Sequence, residues 1–600
     1  MTVTSRPTYV DGSNGPMFGV LSMPSDSLVR GSIIICPSLG KEYGHATRGL
    51  KYLAEELAGR GFAAFRFDYT GTGESAGPST ASHAERLWSQ SIRDAAGFVR
   101  DLTGKEPAVI GHRAGGLLVM QESELISQAP AVVLWDPVLR GRHFVRAQKA
   151  MYAVMSDQAG ADADPSSIRD QNADMVHLAG ITISADTAKA LSGMVLDAST
   201  IDGEDATTLT LLTESAVTSE FADAARECGG VVREIGDQAD FLEAANAWYI
   251  ALPEEVPAIA DWLDEQLPGE RTGVVFEATT RATVGYTDAG APIETVVRIG
   301  PDETMLWDTA IAGRHRTSGK ILVVHSIGHD IRTGPARAFI DLAMATASGG
   351  GRTVRFDRPG VGEARLVRPE DRYLPLYSPE FVEQGLAVVS QLDAPAHARI
   401  VHTGICLGGW MAVHATIETL RHPPAPDTTA GVVMINPLRW QLKPADSTTS
   451  IERRYSARAS NSVPLQEGSS STPSLLGRVK RAVSHLVVTV TPQEMYTRIP
   501  PRAYAMISRW ILGRRPDALM KSVLRVGGSV SIIMSPVDYA VFERLDGPGA
   551  IARRGWKVPV RIARAGDHAG FSAQVRSTMV DACLEALGIN EEIRGCAVTT

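Results

Sequence analysis

Gly404-Ile405-Cys406-Leu407-Gly408-Gly409 joins the apolar, β-rich run ARIVHTG to the helix-patterned WMAVHATIETL, which puts a cysteine at the centre of a strand-to-helix turn of the form G-x-C-x-G-G. Such a turn is strained, lifts its central side chain clear of the backbone, and needs small residues around it so that the chain can pack closely. The helix N-terminus behind the sulfur favours a thiolate and a developing oxyanion. A thiolate that attacks an acyl carbon gives a thioester, which water, amines and alcohols all cleave, so the chemistry expected here is acyl hydrolysis, transfer or cyclisation.

Other chemistries find no support in the residues. The chain has no G-x-x-x-x-G-K-[ST] run and no cluster of metal-binding carboxylates, which argues against phosphoryl transfer. The five cysteines, Cys36, Cys228, Cys406, Cys583 and Cys596, form no C-x-x-C pair, so neither a disulfide framework nor a zinc site is expected. No metal and no cofactor is required by acyl chemistry of this kind. A net charge of -9 over 600 residues offers no general attraction to nucleic acid or an anionic membrane. The first residues, MTVTSRPTYVDGSNG, lack the charged and apolar regions of a secretory signal, and no run of 18 apolar residues occurs, so no membrane span is expected and the location expected is cytoplasmic.

The elements that must position the cysteine are legible as an internal repeat. GSIIICPSLG (31–40) is echoed by KILVVHSIG (320–328), RFDYTGTGES (66–75) by RFDRPGVGEA (355–364), VIGHRAGG (109–116) by HTGICLGG (402–409), and VVLWDPVL (132–139) by VVMINPLR (432–439). Their order is the same in both halves, and the offsets stay between 288 and 293 residues for Gly40 to Gly328, Asp68 to Asp357 and Gly111 to Gly404. β-rich runs alternate with helical periodicity, as in LKYLAEELAGRGF (50–62) and FVEQGLAVVSQL (381–392). That alternation predicts an α/β fold: a doubly wound, mainly parallel sheet with helices on both faces and ligands at the carboxyl ends of its strands. The expected organisation is two such domains, residues 1–270 and 271–600, divided near the turn-forming PGERTG (268–273). A helical cap at about 440–523 is expected to interrupt the C-terminal domain.

On these residues the chain resembles the α/β-hydrolase superfamily, in two copies that cover almost its whole length. The resemblance implies an acid after a late strand and a histidine after the last one. SVSIIMSPVDYAVF supplies Asp538 and VPVRIARAGDHAGF supplies His568, in the implied order. Cys406 is then the expected nucleophile, His568 the general base and acid, and Asp538 the group that orients His568, with Asp567 a rival for the acid role. The backbone N–H of Leu407, with that of Ser326 or Ile327, would form the oxyanion hole.

The first copy departs from the pattern. Its turn reads Gly111-His112-Arg113-Ala114-Gly115-Gly116, and a guanidinium cannot attack a carbonyl. Glu214 follows the strand ATTLTLLTES where the acid is expected, and VVREIGDQADFLEA holds no histidine. Neither His112 nor His45 lies on the loop after the last strand. A cation at a helix N-terminus opposes the helix dipole, so an Arg113–Glu214 ion pair filling the degenerate site is expected, with binding of a substrate carboxylate or phosphate as the competing view.

Through CPSLGKEYGHATR (36–48), RFDYTGTGES and LWDPVLRGRHF (134–144), the N-terminal half resembles hydrolases encoded beside exopolysaccharide export systems. Through INPLRWQ (435–441), the C-terminal half is similar to hydrolases of polysaccharide or natural-product clusters, which implies a biosynthetic context. The expected cap carries Arg453, Arg454, Arg458, Arg478, Lys480, Arg481, Arg498, Arg502, Arg509, Arg514, Arg515 and Lys521. That excess is either a solvated basic face or the recognition site for an anionic handle, such as a phosphopantetheine arm, a carrier-protein surface or a lipid-linked phosphate. The partner expected at Cys406 is a small or carrier-bound ester, thioester or lactone. A scaffold built from two inactive domains is the alternative, though it would have no need for Cys, Asp and His at three separate strand ends.

Overall fold

The computed structural model describes residues 2–157, 174–198, 207–242, 252–300, 304–326, 328, 330–358, 360–364, 377–444, 515–563 and 566–589. Eight strands build one sheet: β1 (Val3–Gly12), β2 (Gly15–Pro24), β3 (Gly31–Cys36), β4 (Phe62–Phe67), β5 (Ala108–His112), β6 (Ala131–Trp135), β7 (Thr207–Thr213) and β8 (Val231–Ile235). Their order is β1-β2-β4-β3-β5-β6-β7-β8. The pairs β1/β2 and β2/β4 are antiparallel and the rest parallel.

Nine further strands build another sheet: β9 (Arg281–Tyr286), β10 (Pro292–Ile299), β11 (Met305–Ile311), β12 (Lys320–His325), β13 (Arg352–Phe356), β14 (Arg399–Ile405), β15 (Thr429–Ile435), β16 (Ser529–Met534) and β17 (Val560–Ile562). From β10 onward the order, β10-β11-β13-β12-β14-β15-β16-β17, repeats that of the N-terminal sheet, with β9 added at the antiparallel edge. The four repeated sequence blocks fall at the ends of corresponding strands: β3 and β12, β4 and β13, β5 and β14, β6 and β15.

Alternation along each parallel strand explains why helices cover both faces. In the N-terminal sheet Ile34, Phe65, Val109 and Val132 pack on one side with helix α2 (Ala84–Thr103), while Ile33, Ile35, Ala64, Ile110 and Val133 pack on the other with α1 (Gly40–Gly59) and α4 (Glu255–Gln266). Between α2 and α4 in the chain lies the short α3 (Ala114–Val119) that follows β5. In the C-terminal sheet Leu322, Val401 and Val433 face α5 (Ala338–Ser348) and α9 (Ala573–Ala586), and Val432, Met434 and Ile532 share a cluster with Ala412 and Val413 of α7 (Leu407–Arg421). Two more helices flank the site, α6 (Pro379–Val389) and α8 (Pro536–Arg544). Burying each large apolar side chain contributes about 1.5–3 kcal/mol, which fixes the register of strands whose every residue is inside.

Most of the expected cap, residues 445–514 with Arg453 to Arg514, lies outside the described residues. Its last part is not a cap. Pro516–Leu524 is a helix whose Leu519, Met520 and Val523 are buried against Val530 and Ile532 of β16, so it covers the sheet. Of the basic residues only Arg515 and Lys521 are described, at and within that helix.

The halves meet through their repeated RFDxxGxGE blocks. Arg66 donates from both terminal nitrogens to Glu363, at 2.7 and 2.8 Å, and Arg355 returns the same fork to Glu74, at 2.7 and 2.9 Å. Within each half an aspartate holds the glutamate in place: Asp68 accepts from the Glu74 N–H at 2.8 Å and Asp357 from the Glu363 N–H at 2.9 Å. The contact is therefore reciprocal, as in a two-fold dimer interface, but formed within one chain. Tyr9, Phe18 and Val20 pack beside it against Val297, Met305 and Trp307.

Candidate active site

Strand β14 ends at Ile405 and α7 begins at Leu407, leaving Cys406 at the turn with φ 54° and ψ −109°. Its N–H donates to the Ile435 carbonyl at 2.8 Å, tying the turn to β15. No side chain could replace Gly408, because a Cβ there would stand 2.3 Å from the His325 carbonyl oxygen. The glycine is what lets the start of α7 lie against the end of β12.

His568 follows β17 and Asp538 lies in the first turn of α8. The imidazole Nδ1 and Asp538 Oδ1 are 2.9 Å apart, and Cys406 is near enough to act on the charge of the imidazole. With Nδ1 committed to Asp538, Nε2 is left for the sulfur. Asp538 is itself held by Ser535, whose hydroxyl donates to Oδ2 at 2.6 Å and caps the helix by accepting from the Asp538 N–H. Burial opposes the charged form of His568, but the attraction of Cys406 and the hydrogen bond to Asp538 outweigh it and raise its pKa well above the usual value. Asp567 does other work: its carboxylate accepts from the N–H groups of Phe571 and Ser572, at 3.1 and 2.7 Å, just before α9.

Leu407 is the first residue of α7, so its N–H is among those a helix leaves without an internal partner. Ser326 follows β12 and is buried, beside the same turn; Ile327 lies outside the described residues. The turn thus brings together a thiol, an imidazole bonded to a carboxylate, and the free N–H groups at the start of α7.

Two further residues stand beside the site. Tyr377, just before α6, is buried near Cys406, burial and Cys406 together raising its hydroxyl pKa well above the usual value, and the Arg439 guanidinium lies 5.1 Å from its ring centroid. Nothing in its local pattern signals it. Asn436, buried at φ 45° after β15, donates to the Asp567 and His568 carbonyls at 3.0 and 2.8 Å and accepts from the Ser535 N–H at 2.7 Å. One side chain therefore fastens the His568 loop to the Asp538 loop. The pairing of VVMINP with VVLWDP is the one signal that could have found it.

In the N-terminal half Arg113 occupies the corresponding turn with φ 53° and ψ −120°, and its N–H donates to the Trp135 carbonyl at 3.0 Å. Its partners are not the expected Glu214. Nε and Nη2 donate to Glu42 at 3.2 and 3.1 Å, and Nη1 to Asp136 at 3.0 Å, whereas Glu214 is exposed at the first position of the short helix after β7. Glu42, in the first turn of α1, and Asp136, just after β6, both bond the arginine, so the guanidinium reaches two buried carboxylates without leaving the site. Ser38 and Gln148 also donate to Glu42, at 2.7 and 3.1 Å. His112 is buried against Trp135 and Phe241, and burial, reinforced by Arg113, pushes its pKa well below the usual value. His45 is buried and bonded to the Leu242 carbonyl at 2.7 Å.

Residues 29–167 match the family model Hydrolase_4, described as serine aminopeptidase S33. The matched segment includes Arg113 rather than Cys406. No curated protein matches the chain. Among solved structures, Est1E from Butyrivibrio proteoclasticus with ferulic acid bound is 16% identical, over 43% of this chain and 96% of its own, with a TM-score of 0.31. The esterase domain of a Rhodothermus marinus protein is 16% identical over 44% of this chain and 99% of its own, at a TM-score of 0.30. An esterase of Pyrococcus furiosus is 11% identical over 44% and 92%, at 0.32. The family-model match, on a mostly parallel sheet wound on both faces, supports an α/β-hydrolase fold.

Proposed function

We propose that the chain is a Cys-dependent acyl hydrolase or acyltransferase of two α/β-hydrolase domains in tandem, residues 1–270 and 271–600, the first of them non-catalytic. The observation that carries this is the convergence of Cys406, His568 and Asp538, the imidazole bonded to Asp538 at 2.9 Å and electrostatically paired with Cys406, at the one strand-to-helix turn of the pair that holds a thiol. Asp538 keeps the imidazole in the tautomer and orientation that face the sulfur. His568 takes the thiol proton as Sγ bonds to the acyl carbon, and the carbonyl electron pair moves to oxygen beside the Leu407 N–H. That pair returns as the alkoxide or thiolate leaves with the proton from His568. Water or another acceptor then attacks the thioester, losing its proton to His568, and Sγ is released and reprotonated.

In the N-terminal half the closed network of Arg113, Glu42 and Asp136 fills the equivalent position. The substrate is an ester, thioester or lactone, and a biosynthetic setting suits a thioester intermediate that acceptors other than water can intercept.

The test compares alkylation of the five cysteines by a small excess of iodoacetamide at neutral pH. Burial pushes the Cys36 thiol far up and that of Cys583 to about 12, so neither should compete. Preferential reaction at Cys406 that slows tenfold or more in His568→Ala is the expected result. Equal, slow reaction at Cys406 in both would favour a non-catalytic scaffold.

A further inference from the structure

The segment between β12 and α5 starts with Ser326, the candidate partner of Leu407 as oxyanion donor, and its later part rests on the N-terminal half of the chain. Arg332 is fully buried: its Nε donates to Glu74 of the N-terminal half at 3.0 Å, its Nη1 and N–H donate to Asp357 at 2.8 and 2.6 Å, and its guanidinium lies 3.7 Å from the Trp307 ring centroid. Arg337 is held by backbone of the N-terminal half. It donates to the carbonyls of Gly71, Gly73, Ser75 and Gly77 at 3.2, 2.9, 2.6 and 2.7 Å. No carboxylate belongs to that set, so these bonds specify position rather than balance charge.

The backbone here needs such support. Ala336 and Arg337 have φ of 49° and 66°, a region that side-chain-bearing residues enter only when their surroundings hold them there. The same segment abuts the catalytic loop, since a Cβ on Gly570, two residues past His568, would meet Ile405 at 2.8 Å and Pro335 at 3.4 Å. Phe571 lines a cavity of about 60 Å³ together with Thr333, Arg337 and the N-terminal half's Tyr43 and Thr72.

We infer that the N-terminal half works as a positioning element for the oxyanion side of the Cys406 site, acting through Arg337 and Arg332. This rests on the acyl-transfer reading of Cys406 and gives the inactive half a function in the reaction. Acylation and alkylation of the same sulfur separate the two ideas. When p-nitrophenyl acetate acylates Cys406, a C–S bond forms, an oxyanion develops, p-nitrophenolate leaves, and the thiol proton passes to His568. Alkylation by iodoacetamide displaces iodide at a saturated carbon and develops no oxyanion. A donor moved by about 1 Å can cost on the order of 100-fold in rate.

In the full-length chain, Arg337→Met is expected to lower the acylation rate about 10- to 100-fold while alkylation of Cys406 stays within about twofold. Arg337→Lys, which keeps the charge but cannot reach four carbonyls, should fall between. It also serves if the methionine variant does not fold, as judged by circular dichroism and melting. An acylation-to-alkylation ratio unchanged in the folded variant, with wild type acylated normally, would overturn this inference alone. Wild type that is not acylated at Cys406 would overturn the acyl-transfer reading, and this inference with it.

Discussion

Cys406 and Arg113 occupy the same backbone state, φ 54° and ψ −109° against φ 53° and ψ −120°, each with its N–H donated to the carbonyl that ends the neighbouring strand. The two turns differ in what stands around them. Cys406 meets His568 and Tyr377, whereas Arg113 meets Glu42 and Asp136.

Restoring a thiol to the N-terminal half should therefore create no additional active site. Arg113→Cys leaves Glu42 and Asp136 as buried carboxylates without their cation, and loss of one partner of a buried pair costs about 3–5 kcal/mol. The expected outcome is a lower melting temperature and no additional fast-alkylating cysteine, measured by calorimetry and by iodoacetamide labelling in Cys406→Ala, Arg113→Cys.

Asn436 should matter to turnover more than to binding. Asn436→Ala removes three hydrogen bonds that hold the Asp538 and His568 loops together. The rate of p-nitrophenyl acetate turnover should fall tenfold or more with KM little changed, and alkylation at Cys406 should slow as His568 loses its seat. A loss confined to thermal stability would show that Asn436 is structural only.

Acid should loosen the interface between the halves. Burial would raise the Glu363 pKa, but Arg66, with Lys51 and Arg332, outweighs it and lowers the carboxyl from 4.5 to about 2. A depressed carboxyl stabilises the fold fully above its unfolded value and loses that contribution as pH falls through the folded one. The window is thus pH 4.5 down to about 2, and the amount is on the order of 3 kcal/mol. Thermal unfolding followed across this range should show a smaller pH dependence in Glu363→Gln than in wild type.

Much of this arrangement is legible in residue patterns because strands and turns are local. The blocks RFDYTGTGES and RFDRPGVGEA mark strand ends in each half, and the G-x-C-x-G-G turn carries its own steric signature in Gly408. What the patterns do not reveal depends on long side chains and on tertiary neighbours. The same RFDxxGxGE residues that mark strand ends also exchange Arg66 for Arg355 across the interface, which no single-half reading exposes. Strand order points Arg113 to Glu214, but Glu42 and Asp136 are nearer in space. The helical periodicity is clear from residue 50, yet the helix begins at Gly40, and its early start is what brings Glu42 over the arginine.

The most direct test of the proposed chemistry is to mix the intact chain with p-nitrophenyl acetate, quench in acid within the first turnover, and locate the acetyl group by peptide mass spectrometry. One acetyl per chain on the Cys406 peptide, absent in Cys406→Ala and accumulating at least tenfold more slowly in His568→Ala, is the predicted result. An acetyl group found elsewhere, or labelling of Cys406 that is indifferent to His568, would contradict it.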